Sequence, residues 1–195
     1  MRIGIFGGSF DPIHNGHAMV ANYASQWLGL DEVWLMVSPL NPLKSGSRPA
    51  ADFHRLAMAR LVAEDCRGVK VSDFEFSRPV PSYTYSTLCA LRTKYPENSF
   101  SLIIGSDNWL DFSRWRDHEK IIEEFGLYIY LRPDYPIEAS LPENVRLMRN
   151  APQAQISSTF VRGAVKEGRN LNFFLPVKVF EYIMKNNLYR LQKMR

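Results

Sequence analysis

Two histidines, His14 and His17, stand three apart just behind a pair of glycines, in Gly7-Gly8-Ser9-Phe10-Asp11-Pro12-Ile13-His14-Asn15-Gly16-His17. At that spacing in the first turn of a helix, both imidazoles project to one side. Glycines have no Cβ, so the backbone can turn sharply and come close to a phosphate. A helix start behind them points its unpaired amides at the same place. Imidazoles there can donate hydrogen bonds to phosphate oxygens as negative charge moves onto a departing pyrophosphate. Two other readings of the pair stay open on these residues alone. One is a helix start that the rings merely cap. The other is a metal pair, for which zinc normally wants a third protein ligand, and no obvious Cys or His completes the set.

A second group lies toward the other end of the chain, in Ile156-Ser157-Ser158-Thr159-Phe160-Val161-Arg162. Ser157 and Ser158 are good N-caps, and the helix start they make would offer amides to terminal phosphates. Ser158 and Arg162 are four apart and share a face, which puts a guanidinium beside those phosphates for bidentate contact. An ordinary capped helix with a solvated arginine is the plain alternative. Lys44 sits in a loop of prolines, glycine and serines from Asn41 to Pro49, where it serves either a phosphate or only solvent. Trp115 lies in the polar stretch Ser113-Arg114-Trp115-Arg116-Asp117, where an indole is not wholly core. Trp109 is assigned to packing, and His54 and His118, on expected helices, to structure.

These residues need elements to position them, and the chain alternates strand and helix. Arg2–Phe6 is short, apolar and β-prone, a buried parallel strand. A helix follows from His14 or Asn15, with His17, Ala21, Ala24 and Leu28 on one face and Gly29 as its stop. Val33–Val37 is a second strand, and Asp52 caps a helix burying Leu56, Ala59 and Ala63. Val69–Phe76 reads as a strand, Tyr83–Tyr95 as a helix, and Phe100–Ile104 as a strand ending in Gly105-Ser106-Asp107. Residues 117–125 read as a helix, Leu127–Leu131 and Asn144–Met148 as strands. Ser157 opens a helix that stops at Gly168, and Pro176 opens another whose Val177, Phe180, Met184 and Leu188 face the core. Such alternation implies an α/β fold, a doubly wound parallel sheet with right-handed crossovers. Ligands in such sheets bind at the carboxyl ends of the strands. The Gly7–His17 stretch, Lys44, Thr84 and Gly105–Asp107 all fall there.

The length of 195 residues suits one domain, 1–195, with the helices from about 157 packed on it. A net charge of +4 suits small anionic substrates and is too small and dispersed to argue for nucleic acid. Cys66 and Cys89 lack metal or redox spacing and read as reduced core thiols of a cytoplasmic protein. Neither a signal-peptide pattern nor a membrane-length apolar run is expected.

The two groups together resemble one family. Gly-Ser-Phe-Asp-Pro-Ile-His-Asn-Gly-His looks like the His-x-Gly-His signature of the nucleotidyltransferase superfamily, and Ile156–Arg162 like its second signature, Ile-Ser-Ser-Thr-x-x-Arg. Both in a chain of this length resemble bacterial nicotinate mononucleotide adenylyltransferases. The resemblance implies a Rossmann-like nucleotidyltransferase fold and a role in NAD biosynthesis: ATP and nicotinate mononucleotide give nicotinate adenine dinucleotide and pyrophosphate. It implies His14, His17, Arg162 and Lys44 as catalytic groups. ATP falls to Gly7, Gly8, Ser9, Phe10, His17, Gly105, Asp107, Ile156, Ser157, Ser158 and Arg162. The mononucleotide falls to Ser9, Phe10, Lys44, Thr84, Trp115 and Arg116, with Trp115 stacking on the pyridine ring and Tyr83–Leu88 receiving it through main-chain amides. Mg²⁺ is expected to ride mainly on the ATP phosphates, with no protein metal site. Self-association is admitted; nucleic acid and membrane are not. Three positions depart from the family pattern: Ser86 stands where Asp is usual, Leu43 where His is usual, and Arg116 is uncommon. They leave the choice between acid and amide open. Rival readings are an adenylyltransferase for nicotinamide mononucleotide, phosphopantetheine or FMN, a non-catalytic nucleotide-binding module, and a metal-dependent hydrolase.

Overall fold

Six strands lie side by side, all parallel: β1 (Arg2–Gly8), β2 (Glu32–Val37), β3 (Val69–Ser72), β4 (Ser99–Gly105), β5 (Leu127–Tyr130) and β6 (Val145–Leu147), in the order β3-β2-β1-β4-β5-β6. The computed structural model describes residues 1–39, 50–138 and 140–190. Strand order reverses between β1 and β4, so their carboxyl ends, Gly7-Gly8 and Gly105, flank the crevice where doubly wound sheets hold ligands. The expected parallel sheet is the one observed.

The central strands read as apolar runs because both faces of the sheet are covered. One face carries α1 (Asn15–Trp27), α2 (Asp52–Glu64), α6 (Ser158–Lys166) and α7 (Val177–Lys185), through a core of Val20, Ala24, Leu35, Met58, Val161 and Val179. The other face carries α3 (Thr84–Lys94) and α5 (His118–Glu124), around Ile5, Leu88, Leu91, Leu102 and Ile121. Both C-terminal helices share the first core with α1 and β1.

Five expectations change in detail. The third strand stops at Ser72, and Phe74–Ser77 turns into a 3₁₀ segment that sends Glu75 inward. The buried face of α2 is Arg55, Met58, Ala59 and Val62 rather than one centred on Leu56 and Ala63, so a charged residue occupies a core position. In α7 the buried pair is Val179 and Ile183, while Val177, its first residue, is 62% exposed. After β4 the chain goes at once into a short helix, α4 (Ser106–Leu110). Both cysteines are unpaired and half-buried rather than core. No helix among the described residues is long and apolar enough to cross a membrane.

Candidate active site

The phosphate-type turn follows directly from β1. Gly8 sits close under Phe10: a Cβ there would stand 3.1 Å from the ring and press it aside. Phe10 takes a left-handed backbone (φ 46°), a conformation that a bulky residue holds only when its surroundings enforce it. Its ring is 1% exposed and packs edge-on against Phe6 and His17. Phe10 can therefore offer a ligand only its main chain, while its ring fixes the imidazole beside it.

His14 is the residue before α1, and the two imidazoles stack with centroids 3.7 Å apart. The His14 backbone N–H donates to His17 Nδ1 at 3.3 Å. With Nδ1 accepting, the proton of a neutral His17 ring belongs on Nε2. Gly16 eases the stack, since a Cβ at that position would crowd the His14 ring at 3.1 Å, while Ile156, at 3.8 Å, would be in ordinary contact. His14 is 2% exposed, and its Nδ1 is buried without a hydrogen-bond partner. Burial first, and then the charge of Arg132, pull its pKa from 6.5 down to about 3. It is a neutral donor at physiological pH.

This depression sets a pH dependence. Between pH 6.5 and 3 the unfolded chain protonates its histidine and the native one does not, so native stability falls as pH falls through that window. The loss attributable to His14 is about 2 kcal/mol between pH 7 and pH 5. Urea unfolding at both values should show it, and His14→Asn should remove that part. An equal drop in both proteins would assign it elsewhere.

The second signature folds onto the first. Ser157 caps α6, its Oγ accepting from Phe160 N–H at 3.1 Å. Ser158 does not cap: its Oγ donates to Pro12 O at 2.9 Å, 146 residues away in sequence. Arg162 Nη1 donates to Asp11 O at 2.7 Å, and its other nitrogen to Thr159 Oγ1 at 3.2 Å. Ile156 packs against the core under Gly16. The structure thus brings His17, Ser158 and Arg162 against the Gly7–Pro12 turn, with His14 stacked on His17.

A cavity of about 250 Å³ borders the same turn. Gly7, Gly8, Ser9, Thr84, Gly105, Trp115 and Arg116 line it, so seven of the expected site residues meet there. Trp115 leans on Phe112, itself 2% exposed, and its indole N–H is buried without a partner. Trp109 stacks on Phe112 from elsewhere, as packing. Arg116 lies 5.0 Å from the Tyr83 ring at the cavity wall. Ser86 is exposed and accepts from Arg78 at 2.8 Å, so that departure from the family pattern does not touch the cavity. Lys44 and Leu43 lie outside the described residues.

Three working residues were not foreseen. Arg132, just past β5, pairs with Asp107 at 3.0 Å, and its backbone N–H donates to Ser106 Oγ at 2.9 Å. The rule that selects residues at strand carboxyl ends would have found it. Glu75 is a buried carboxylate in the cavity wall, accepting from Ser38 Oγ at 2.6 Å and Thr87 Oγ1 at 2.9 Å. Arg55, 0% exposed, donates to Ser9 O and Ser38 O, each at 2.7 Å, and to Ala50 O at 3.0 Å. Nothing in a hydrophobic pattern announces a wholly buried arginine. His54 Nδ1 meets Tyr182 Oη at 2.9 Å and His118 packs on Phe112, both structural.

The chain is similar to known proteins over nearly its whole length. A family model described as Cytidylyltransferase-like matches residues 5–164. A probable nicotinate-nucleotide adenylyltransferase of Bacteroides thetaiotaomicron is 50% identical over 94% of this chain and 91% of its own length. One from Flavobacterium johnsoniae is 44% identical over 97% of this chain and 100% of its own. The solved Plasmodium falciparum nicotinic acid mononucleotide adenylyltransferase complexed with NaAD superposes with a TM-score of 0.79 at 25% identity, covering 96% of this chain and 97% of that one.

Proposed function

The chain belongs to the cytidylyltransferase-like family, among its nicotinate-nucleotide adenylyltransferases, and from that premise we propose how its residues do the work. It is an adenylyltransferase of NAD biosynthesis that joins ATP and nicotinate mononucleotide, giving nicotinate adenine dinucleotide and pyrophosphate. The observation that carries the residue assignment is the Gly7–Pro12 turn: Phe10 in it packs on His17, which stacks on His14, Asp11 accepts from Arg162, and Gly7, Gly8 and Ser9 line the Trp115 cavity.

The mononucleotide lies in the cavity with its pyridine against Trp115, and its ribose and phosphate run past Ser9. Its 5′-phosphate oxygen attacks the α-phosphorus of ATP in line, one P–O bond forming as the bond to pyrophosphate breaks. The nucleophile is already an anion, so no side chain takes its proton. Catalysis is then positioning and stabilisation of charge. Neutral His14 and, through Nε2, His17 donate to phosphate oxygens, Arg162 holds the leaving pyrophosphate, and Lys44 adds a charge at the phosphates. Gly105 and Asp107 hold the adenylate ribose, with Arg132 steadying Asp107. Mg²⁺ carried on the triphosphate would neutralise charge there. Among the described residues no three His, Cys, Asp or Glu side chains gather into a group that could hold a metal. Residues 1–195 act as one domain in this reading, and the free thiols support a cytoplasmic setting.

Pyrophosphate release from ATP and Mg²⁺ with nicotinate mononucleotide, nicotinamide mononucleotide or phosphopantetheine tests the reading. Fast release with the acid is expected; release with phosphopantetheine alone would refute it. Arg116 adds a second test. It shares Asp117 with Lys120, at 3.7 and 3.1 Å, so positive charge remains in excess at the cavity mouth and favours a carboxylate over a carboxamide. Arg116→Met should lower the acid-to-amide ratio of kcat/KM about fivefold. An unchanged ratio would leave the preference to the main chain.

A further inference from the structure

The chain beyond α7 ends its described part in a strained turn. Asn187 and Tyr189 both have left-handed backbones, φ 52° and 60°. For Asn187, just past the helix end, this is common. For an aromatic residue it is an outlier, of the kind that persists where the surroundings enforce it and that gathers at working sites. What the turn achieves is visible: Tyr189 packs against the core and its hydroxyl donates to Asp11 Oδ1 at 2.8 Å, across 178 residues of sequence. The same oxygen accepts from Ala50 N–H at 3.1 Å. Asp11 Oδ2 stands 3.8 Å from Arg162 Nη1, while that nitrogen donates to Asp11 O. Burial, then the Asp11 charge, push the Tyr189 phenol up, so it stays a donor.

We infer that Tyr189 is a positioning residue for ATP: by occupying Asp11 Oδ1 together with Ala50 N–H, it keeps the Asp11 carboxylate from closing a tight ion pair on Arg162, and so leaves the guanidinium to the triphosphate. Without the hydroxyl, the carboxylate has one donor fewer and a cation within reach, and the bidentate pairing that Arg favours would compete with phosphate. The inference rests on the reading that Arg162 serves ATP.

Tyr189→Phe keeps the ring and its packing and removes only the donor. The expected result is an ATP KM about tenfold higher, with kcat and the mononucleotide KM within twofold of the parent and an unchanged melting temperature. A double-mutant cycle supplies the readout that general loosening would not give: in an Asp11→Asn background, Tyr189→Phe should change the ATP KM by less than twofold. An undiminished effect in that background overturns the proposal. So does an unaltered ATP KM in Tyr189→Phe itself, or an equal rise in both substrates' KM. Arg162→Ala is the control for the reading beneath it; if that enzyme uses ATP normally, the assignment of Arg162 fails, and the role of Tyr189 with it.

Discussion

Replacing His17 by Ala lowers pyrophosphate release by about 10²–10³-fold, the usual cost of deleting one well-aimed donor to a developing oxyanion. The geometry says why the loss should fall on turnover. His17 is held on three sides: Phe10 and Phe6 meet its ring at 5.1 and 6.0 Å, and His14 stacks on it. The His14 backbone N–H at Nδ1 leaves the proton on Nε2, so the donor needs no rotation or retitration at the moment of reaction. The same bond helps cap α1, so the variant should also lose about 1 kcal/mol of stability. The check is single-turnover release at saturating ATP and mononucleotide, with circular dichroism and ATP binding on the same sample. Turnover within threefold of the parent would refute the role.

Arg55→Met should be the most damaging change remote from the substrates. The guanidinium is 0% exposed and satisfies the carbonyls of Ser9, Ser38 and Ala50 while pairing with Asp52. Methionine fills most of the volume but leaves those acceptors unpaired, at about 1–3 kcal/mol for each one kept from water. A total of about 4 kcal/mol follows, or a melting temperature lower by on the order of 10 °C for a chain of this size. Ser9 belongs to the phosphate turn and Ala50 follows the Lys44 segment, so what survives should also turn over slowly. Calorimetry decides it. A shift below about 3 °C would mean that water replaces the guanidinium at little cost.

These two residues also mark what the sequence could disclose. His17 was legible because its chemistry depends on local spacing: glycines, then two imidazoles three apart at a helix start. The central strands were legible because both faces of the sheet are buried there, which leaves runs such as Ile3–Phe6, Val33–Val37 and Leu102–Ile104 free of charge. Arg55 was not, since its role comes from three carbonyls distant in sequence, and a charge on a helix reads as solvated. The same holds for Glu75, whose inward turn depends on hydroxyls from Ser38, just past β2, and Thr87 in α3, and for Arg132, whose partner sits after another strand. Spacing also misjudged Ser158. Its cap-like position is real, but the neighbouring Ser157 took the cap and freed Ser158 to bond Pro12.

Gly16 has a consequence for descent. The space its missing side chain leaves is shared by the His14 ring, 3.1 Å away, and Ile156, 3.8 Å away, which belong to opposite ends of the gene product. The two signatures meet at this point: a side chain at position 16 would touch Ile156 in ordinary contact but press on the His14 ring, so a lineage that enlarges position 16 must first resettle the histidine stack.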